Sequence, residues 1–533
     1  MDLTDPNFGS KLQSFSITST RHTHTTFQSH HLQFQLKPKL CHQLNTALET
    51  CDSLPAFGQL PNLRHFSMKD MTNIRKIGKE FFGEEGNCKK LRVISLERMA
   101  NLGELWTTRS GKDDEEFLIP NLHYLKVVKC PKLSFLPYTP RSINWTVVPG
   151  VARSPERGFG SLASSTLPFC VTIKNCHFSH DRWGRLQHLA TLEIFQGRGC
   201  SGLRTLPDAI QCLLSLRELY LESWEDLEIL PEWLGQLVFM KKLVIRDSPK
   251  LTLLPESMEN LTALRKLELE GCEGLEILPE GLGQLTSMTK LVIKDCPKMT
   301  LLPESMENLT ALIELQLVRC KGLETLPEGL GLLISLENLY IYDCPKLKSL
   351  PKSIQNLTAL RQLWLEGCEG LEISPELFGH QLTSLKVVRI RGCPNLTYLP
   401  ESTKNLTALE VLWLGGFNSL PEWIGQFICL KDIRILDSPD MTFLPESIRN
   451  LTSLKELHIW NCPRLIERCQ GEDASNISNI PRIVLHGEIF IPGQAFQGSK
   501  NTAECGHSSQ DREHKQERQD EEKLYMHVYS SDF

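Results

Sequence analysis

Several signatures of point chemistry are missing from this chain. None of its 18 cysteines forms a CxxC pair, which removes the usual basis for a zinc ribbon or a thioredoxin-like centre. There is no GxSxG, no HExxH and no GxxxxGK[ST] loop, so a nucleophile elbow, a zincin helix and a phosphate cradle are all without support. No apolar run approaches the ~18 residues that span a bilayer. The N-terminus, MDLTDPNFGSKLQSFSITSTRHTHTTF, lacks the basic-then-apolar pattern of a signal peptide, and a cytoplasmic location is expected. A dominant charge is missing too: 58 Lys and Arg stand against 64 Asp and Glu, a net of −6. That balance points to neither nucleic acid nor an anionic membrane as partner. No metal, cofactor or catalytic residue is expected.

What the chain has instead is repetition. TLLPESMENLTAL occupies residues 252–264 and again 300–312, with looser copies ending at 360, 409 and 454. Leu261, Leu285, Leu309, Leu333 and Leu357 are each 24 residues apart. One unit reads LTALRKLELEGCEGLEILPEGLGQ (261–284), with the skeleton LxxLxxLxLxxCxxLxxLPxxLxx. This is the leucine-rich repeat. Leu267 and Leu269 are two apart and share one face of a short strand, while Glu268 takes the other. Leu275, Leu278 and Leu282 bring the chain back along the convex side, where Pro279 is expected to break any helix. A single unit buries too little to fold alone and needs stacked neighbours. The expected fold is an α/β leucine-rich-repeat solenoid, a horseshoe with a parallel β-sheet on its concave face and short helical or irregular convex segments.

Twelve regular strands are expected around Leu192, Leu219, Leu243, Leu267, Leu291, Leu315, Leu339, Leu363, Val388, Leu412, Ile433 and Leu457, with odd steps of 27, 25 and 21 residues. Around them, 1–52 reads as an irregular N-terminal segment and 53–137 as irregular repeats. Residues 138–185 read as an insertion or degenerate repeat, 186–466 as the regular array, 467–497 as a C-terminal cap and 498–533 as a disordered charged tail. The histidines at 22, 24, 30 and 31 lack companions at ligand spacing and carry no metal expectation.

Cys272, Cys296, Cys320, Cys344, Cys368, Cys393 and Cys462 all fall three residues after the second strand aliphatic, and Cys130 and Cys176 fit the same slot. They read as one repeated structural position filled by a small, weakly polar thiol. Trp224, Ser248, Phe417 and Ser438 fill it elsewhere, so thiol chemistry is not what the slot requires.

The outward strand positions are where a repeat protein is free to vary and to bind. Glu222, Arg246, Glu270 and Lys294 alternate in sign on adjacent strands and read as a cross-strand ion ladder. Tyr220, Tyr340, Tyr342, Trp364, Trp413, His458 and Trp460, with Arg389, Arg391 and Arg434 among them, are expected on the solvated concave face. Aromatics with arginine are the composition of interaction hot spots, and these ten residues are the candidate protein-binding site. Cover by the C-terminal tail or by another domain is the intramolecular alternative.

LPAFGQLPNLRHFSMKDMTNIRKIGKEFFG (54–83), LERMANLGELW (96–106), LKVVKCPKLSFLP (125–137) and IPRIVLHG (480–487) together resemble the leucine-rich-repeat region of plant NB-ARC disease-resistance proteins. The likeness covers most of residues 53–490. It implies recognition in plant defence, with a pathogen effector, a guarded host protein or an NB-ARC protein in trans as partner. Full-length members carry a nucleotide-binding switch; its loop, acidic strand and MHD-like segment have no counterpart in this sequence, so ATP or ADP binding is not carried over. The rival reading is an extracellular repeat receptor or inhibitor ectodomain. NLT sequons at Asn260, Asn308, Asn356, Asn405 and Asn450 favour it, but they follow from the period itself. The GxIP convex phrase of the extracellular plant type is missing.

Overall fold

The structure is a computed structural model. It describes the strands Ser14–Thr18 and Thr26–Phe27 and most of residues 62–490. Stretches 1–13, 19–25, 28–53, 55–59, 83–87, 109–117, 137–140, 149–159, 162–167, 176–182, 184–185, 491–533 and a few single positions lie outside the described residues. The histidine cluster, Cys176 and the expected charged tail fall there.

One sheet of 21 strands dominates. From His65–Lys69 onward, each five-residue strand pairs in parallel with the next: Val93–Glu97, Tyr124–Val128, Asn144–Val148, Cys170–Lys174, Ile194–Arg198, and so on to Glu456–Trp460, which pairs in parallel with the four-residue strand Arg482–Leu485. Ser14–Thr18, within a segment read as irregular, pairs in parallel with His65–Lys69 and extends the sheet by one strand. Both edges are closed by a reversal. Thr26–Phe27 runs antiparallel to Ser14–Thr18, and Glu488–Phe490 runs antiparallel to Arg482–Leu485. This is a leucine-rich-repeat solenoid.

The register follows from the buried letters. Leu243, Leu267, Leu291, Leu315 and Leu339 are mutual partners across adjacent strands, and so are Ile245, Leu269, Ile293, Leu317 and Ile341. All ten are fully buried. A one-residue slip would turn every one of them to solvent, so the hydrophobic pattern holds the pairing.

The period is more regular at its N-terminal end than the sequence suggested. The strand expected around Leu192 is Ile194–Arg198, in which Phe195 stands opposite Leu219. The step is therefore 24 residues, and the expected 27 is corrected. The second aliphatic position of that strand holds Gly197, which hides the pattern. Trp224, in the cysteine slot of the following coil, takes the vacated space. It is fully buried, and its Nε1 donates to the Gly197 carbonyl at 2.9 Å. A Cβ on Gly197 would lie 2.6 Å from the indole. Strands Asn144–Val148 and Cys170–Lys174, in the stretch left open as insertion or degenerate repeat, also pair in register with their neighbours, and Trp145 and Val171 are fully buried.

On the convex side most regular coils make a short 3-10 turn, such as Glu256–Asn260, Glu280–Gln284 and Glu304–Asn308; the coil between Gln362–Glu366 and Val387–Arg391 shows none among the described residues. Proline precedes each of these. Pro279 is extended, at φ −68° and ψ 148°, so it starts the turn where it was expected to break a helix. None of the three turns has a side-chain cap from its own first residue. The cap comes from the preceding coil: the carboxylates of Glu232, Glu280, Glu328 and Glu422 accept from the backbone N–H of Ser257, Ser305, Ser353 and Ser447 at 3.1–3.2 Å. Here the 48-residue repeat of the ESMEN phrase has a physical meaning. Coils carrying glycine alternate with coils carrying serine, and a Cβ on Gly283 would lie 2.4 Å from the Ser305 carbonyl oxygen. After Trp460, helix Pro463–Gln470 buries Leu465 and Cys469 and ends the array.

The Gly197–Trp224 exchange is open to a double-mutant cycle. Gly197→Leu alone should cost ~1–3 kcal/mol by overpacking, and Trp224→Cys alone ~3–5 kcal/mol by leaving a cavity. Together they restore the repeat's usual letters, and urea unfolding should show the double variant losing clearly less than the sum. Strict additivity would contradict the exchange.

Candidate functional site

Period-2 alternation places one side chain in two of every regular strand on the concave face, and neighbours there are set by strand pairing. Tyr340 stands opposite Trp364, Trp364 opposite Arg389, Arg389 opposite Trp413, Trp413 opposite Arg434, and Arg434 opposite His458. Residues up to 118 apart in sequence become one row.

Within the row, rings and guanidinium groups interleave. Tyr340 and Trp364 have centroids 4.7 Å apart, and Tyr342 meets Trp364 edge-on at 6.1 Å. The Arg389 guanidinium lies 4.3 Å from the Trp364 ring centre and 3.1 Å from that of Trp413. Arg434 lies 4.0 Å from the centre of the same Trp413 ring. Each such contact contributes roughly 0.5–2 kcal/mol, more where water is excluded, and together they hold flat, rotamer-rich side chains in place. Asp432 accepts from Arg434 Nε at 3.1 Å and from Trp413 Nε1 at 3.3 Å. Arg391 reaches Asp437 at 3.1 Å and Glu366 at 3.8 Å.

The expectation of solvated aromatics needs correction at two positions. Tyr340 and Tyr342 are each only 6% exposed and pack with Val318 and Trp364 in a small apolar cluster separate from the main core. Burial pushes the Tyr340 phenol above its usual range. Trp364, Arg389, Arg391, Trp413, Arg434, His458 and Trp460 are half-buried. Tyr220 is set apart. Four strands separate it from Tyr340; its hydroxyl donates to Glu218 at 2.6 Å, and the Lys242 ammonium lies 5.1 Å from its ring centre. Trp460 stacks on His486 at 4.7 Å. His486, Asp432 and Asp437 were not singled out from the sequence. Asp432 carried a readable signal, since it lies two residues before Arg434 and shares its face.

The charged ladder lies on the strands before this row. Arg246 sits 3.3 Å from Glu270, Lys294 pairs with Glu270, and Arg198 pairs with Glu222 at 3.0 Å. Glu268 is 6% exposed. Burial opposes its ionisation, but Lys266 and Arg246 outweigh that and hold its carboxyl below the ordinary range.

Among the described residues one group has ligand atoms close enough for a metal ion: Asp432, Glu456 and His458, within 4.8 Å of one another. Arginines already serve these carboxylates. Arg434 bonds Asp432, Arg482 lies 3.3 Å from Glu456, and His458 Nε2 is 3.0 Å from Glu456. The repeated thiols bond to backbone. Cys296 Sγ lies 3.4 Å from the Lys294 carbonyl and Cys320 Sγ 3.7 Å from that of Ile293. Cys200, hidden in the sequence because Gly197 breaks the pattern of its strand, shares the slot and lies 3.9 Å from the Arg198 carbonyl. Burial pushes the Cys130 and Cys462 thiols up to about 11 and Cys469 up to about 12, which keeps them neutral and unreactive at physiological pH.

No family model matches the chain. A protein of Arabidopsis thaliana that carries the name of a disease resistance protein is 32% identical over 84 residues, 16% of this chain and 6% of that relative. The match thus spans a small part of the relative's length. Among solved structures, a Leptospira interrogans leucine-rich-repeat protein aligns over 83% of this chain and 98% of its own, with 19% identity and a TM-score of 0.44. The Drosophila Toll–Spatzle complex aligns over 80% of this chain and 52% of that one, with 15% identity and a TM-score of 0.48. The fold assignment rests on the strand register described above and not on these neighbours.

Brief alkylation of the native protein, followed by peptide mapping, should label Cys212 and Cys429, the exposed cysteines among the described residues, well before the buried ladder. Equal labelling of Cys320 or Cys344 at neutral pH would mean that the slot is open to solvent.

Proposed function

We propose that this chain is a non-catalytic protein-recognition module acting in plant defence, with its partner docking on the concave face over Trp364, Arg389, Trp413 and Arg434. The observation that carries the reading is the interleaved row itself. Four large side chains from four successive strands are stacked on a face that the repeat leaves free to vary. Tryptophan and arginine dominate binding energy at protein interfaces because each combines apolar area with a directional polar edge. Rings and guanidinium groups already held by one another lose less freedom when a partner arrives.

The partner classes are a pathogen effector, a guarded host protein or an NB-ARC protein in trans, met in the cytoplasm. The short stretch shared with the Arabidopsis protein supports the defence setting. The extracellular reading has one structural observation in its favour: Asn260, Asn308, Asn356 and Asn450 of the NLT sequons are exposed. A glycosidase-sensitive mass of the protein isolated from plant tissue would establish that reading and overturn the cytoplasmic one.

Affinity capture from infected and healthy plant tissue, then direct titration of the captured protein, tests the site. Trp364→Ala and Trp413→Ala should each weaken binding by ~2 kcal/mol or more, about thirtyfold. Equal affinity of both variants and the parent would rule out the stacked row.

A further inference from the structure

The flank on which the chain leaves each strand for the convex turn carries an apolar stripe that packing does not require. On four successive coils the residue before the Leu-Pro pair is an aliphatic: Ile229, Leu253, Ile277 and Leu301, each 45–51% exposed. Thr205, Thr325, Ser349 and Ser419 fill the same place on other coils, so the repeat folds with a polar residue there. Tyr398 and Phe443 are exposed and apolar too, but Ser419 separates them. The four aliphatics lie side by side. Ile229 and Leu253 form a parallel bridge, and the Thr252 and Thr300 N–H groups donate to the Glu228 and Glu276 carbonyls at 3.0 and 3.3 Å. Coils spaced ~4.8 Å apart make the stripe ~14 Å long. A contiguous exposed apolar run with a polar border marks an interaction site more often than isolated surface aliphatics do.

The border is acidic. Residues 225–235, 249–259, 273–283 and 297–307 hold eleven Asp and Glu against two cations, Lys250 and Lys298, a local net of −9. The whole chain carries −6. Lys250 is engaged by Asp226 at 2.7 Å. Glu232, Glu256 and Glu280, three residues beyond the stripe, are exposed, and their carboxylates accept from the backbone N–H groups of Ser257, Gly281 and Ser305 at 3.1–3.2 Å. Such amide partners orient a carboxylate and leave its charge facing solvent. The apolar run stops at Thr325. One coil later, residues 345–355 around Ser349 hold three Lys and no acid, so the acidic border is a property of these coils and not of the period.

We propose that this stripe is a docking edge for a basic amphipathic helix of a protein partner, lying across the four coils. A helix presents its apolar face once per turn, every ~5.4 Å, which stays near the ~4.8 Å step of the coils for the length of the stripe. About ten residues at ~1.5 Å each cover it. Same-face residues of an extended strand recur every ~6.8 Å and fall out of step over the same four coils. Lysine and arginine on either side of the helix's apolar face meet the glutamates. A second copy of this chain would bring two acidic flanks together, and an anionic bilayer or a nucleic acid is repelled for the same reason. The aliphatics supply the contact area, and the carboxylates steer and orient the helix. The edge uses none of the residues of the Trp364–Arg434 row, so either surface can fail without the other.

The probe is a fluorescent peptide of about eighteen residues built from leucine and lysine, with every leucine on one helical face. A second peptide has the same composition with the leucines scattered. Both are titrated against the full chain. Leu253→Thr/Ile277→Thr tests the stripe with the letter the repeat itself uses at Thr325. Tyr398→Ser/Phe443→Ser is the control, the same repeat position outside the stripe. The stripe variant should raise the Kd of the patterned peptide about tenfold, while the control changes it less than about twofold and thermal melts of both stay near the parent's. The scattered peptide should bind the parent at least about tenfold more weakly than the patterned one, and Trp364→Ala should bind the patterned peptide as the parent does. Three results would overturn the assignment: equal affinity of the parent for the two peptides, equal loss in the stripe and control variants, or a parent that sediments as a dimer and becomes a monomer in the stripe variant, which would give the stripe to a second copy.

Discussion

Everything in this molecule depends on apolar contact between one coil and the next. A coil carries six or seven inward aliphatics, each contributing ~1.5–3 kcal/mol when fully buried, yet it has two open faces and no core of its own. Only stacking closes those faces, so stability is a sum over interfaces between neighbours. Leu267 is buried because Leu243 and Leu291 flank it. The ends then become the vulnerable places, and both are finished by antiparallel strands, with a helix added at the C-terminal side.

The same constraint divides the chain into letters that are held and letters that are free. Inward strand positions, the thiol slot and the glycine and serine of alternating 3-10 turns are held by steric contact across coils. Outward strand positions are held by nothing in the repeat. They carry the ion ladder and the aromatic–arginine row in turn, so one scaffold offers surfaces of different chemistry along its length. Because neighbouring positions come from successive coils, a row of stacked side chains can be assembled there from residues two dozen apart.

How much of this was legible depended on whether a residue's environment repeats. The strands from 218 to 460 could be placed because their aliphatics recur at nearly constant spacing. The strand Ile194–Arg198 was misplaced because Gly197 breaks the pattern and the compensating bulk, Trp224, lies 27 residues away. The four-residue helix Lys79–Phe82 and the second small sheet of Lys76–Ile77, Glu104–Trp106 and Ser134–Leu136 left no period-2 signal to follow. Of the ten candidate site residues, pairing brings six into direct association around Trp364 and Trp413 and leaves Tyr220 apart with Glu218 and Lys242.

The sequence by itself determined the fold, since a 24-residue spacing of buried aliphatics has one economical way to exclude water: coils stacked with their strands in parallel register. It also determined which side chains face outward, because alternation along a strand is a local property. What those outward residues do to one another was decided only in three dimensions. Tyr340 and Tyr342 are covered, Arg389 lies between two indoles, and Asp432 serves both Arg434 and Trp413, because each contact joins different coils. Such a contact depends on side-chain reach and rotamer across a gap of ~4.8 Å, and no spacing along the chain encodes that.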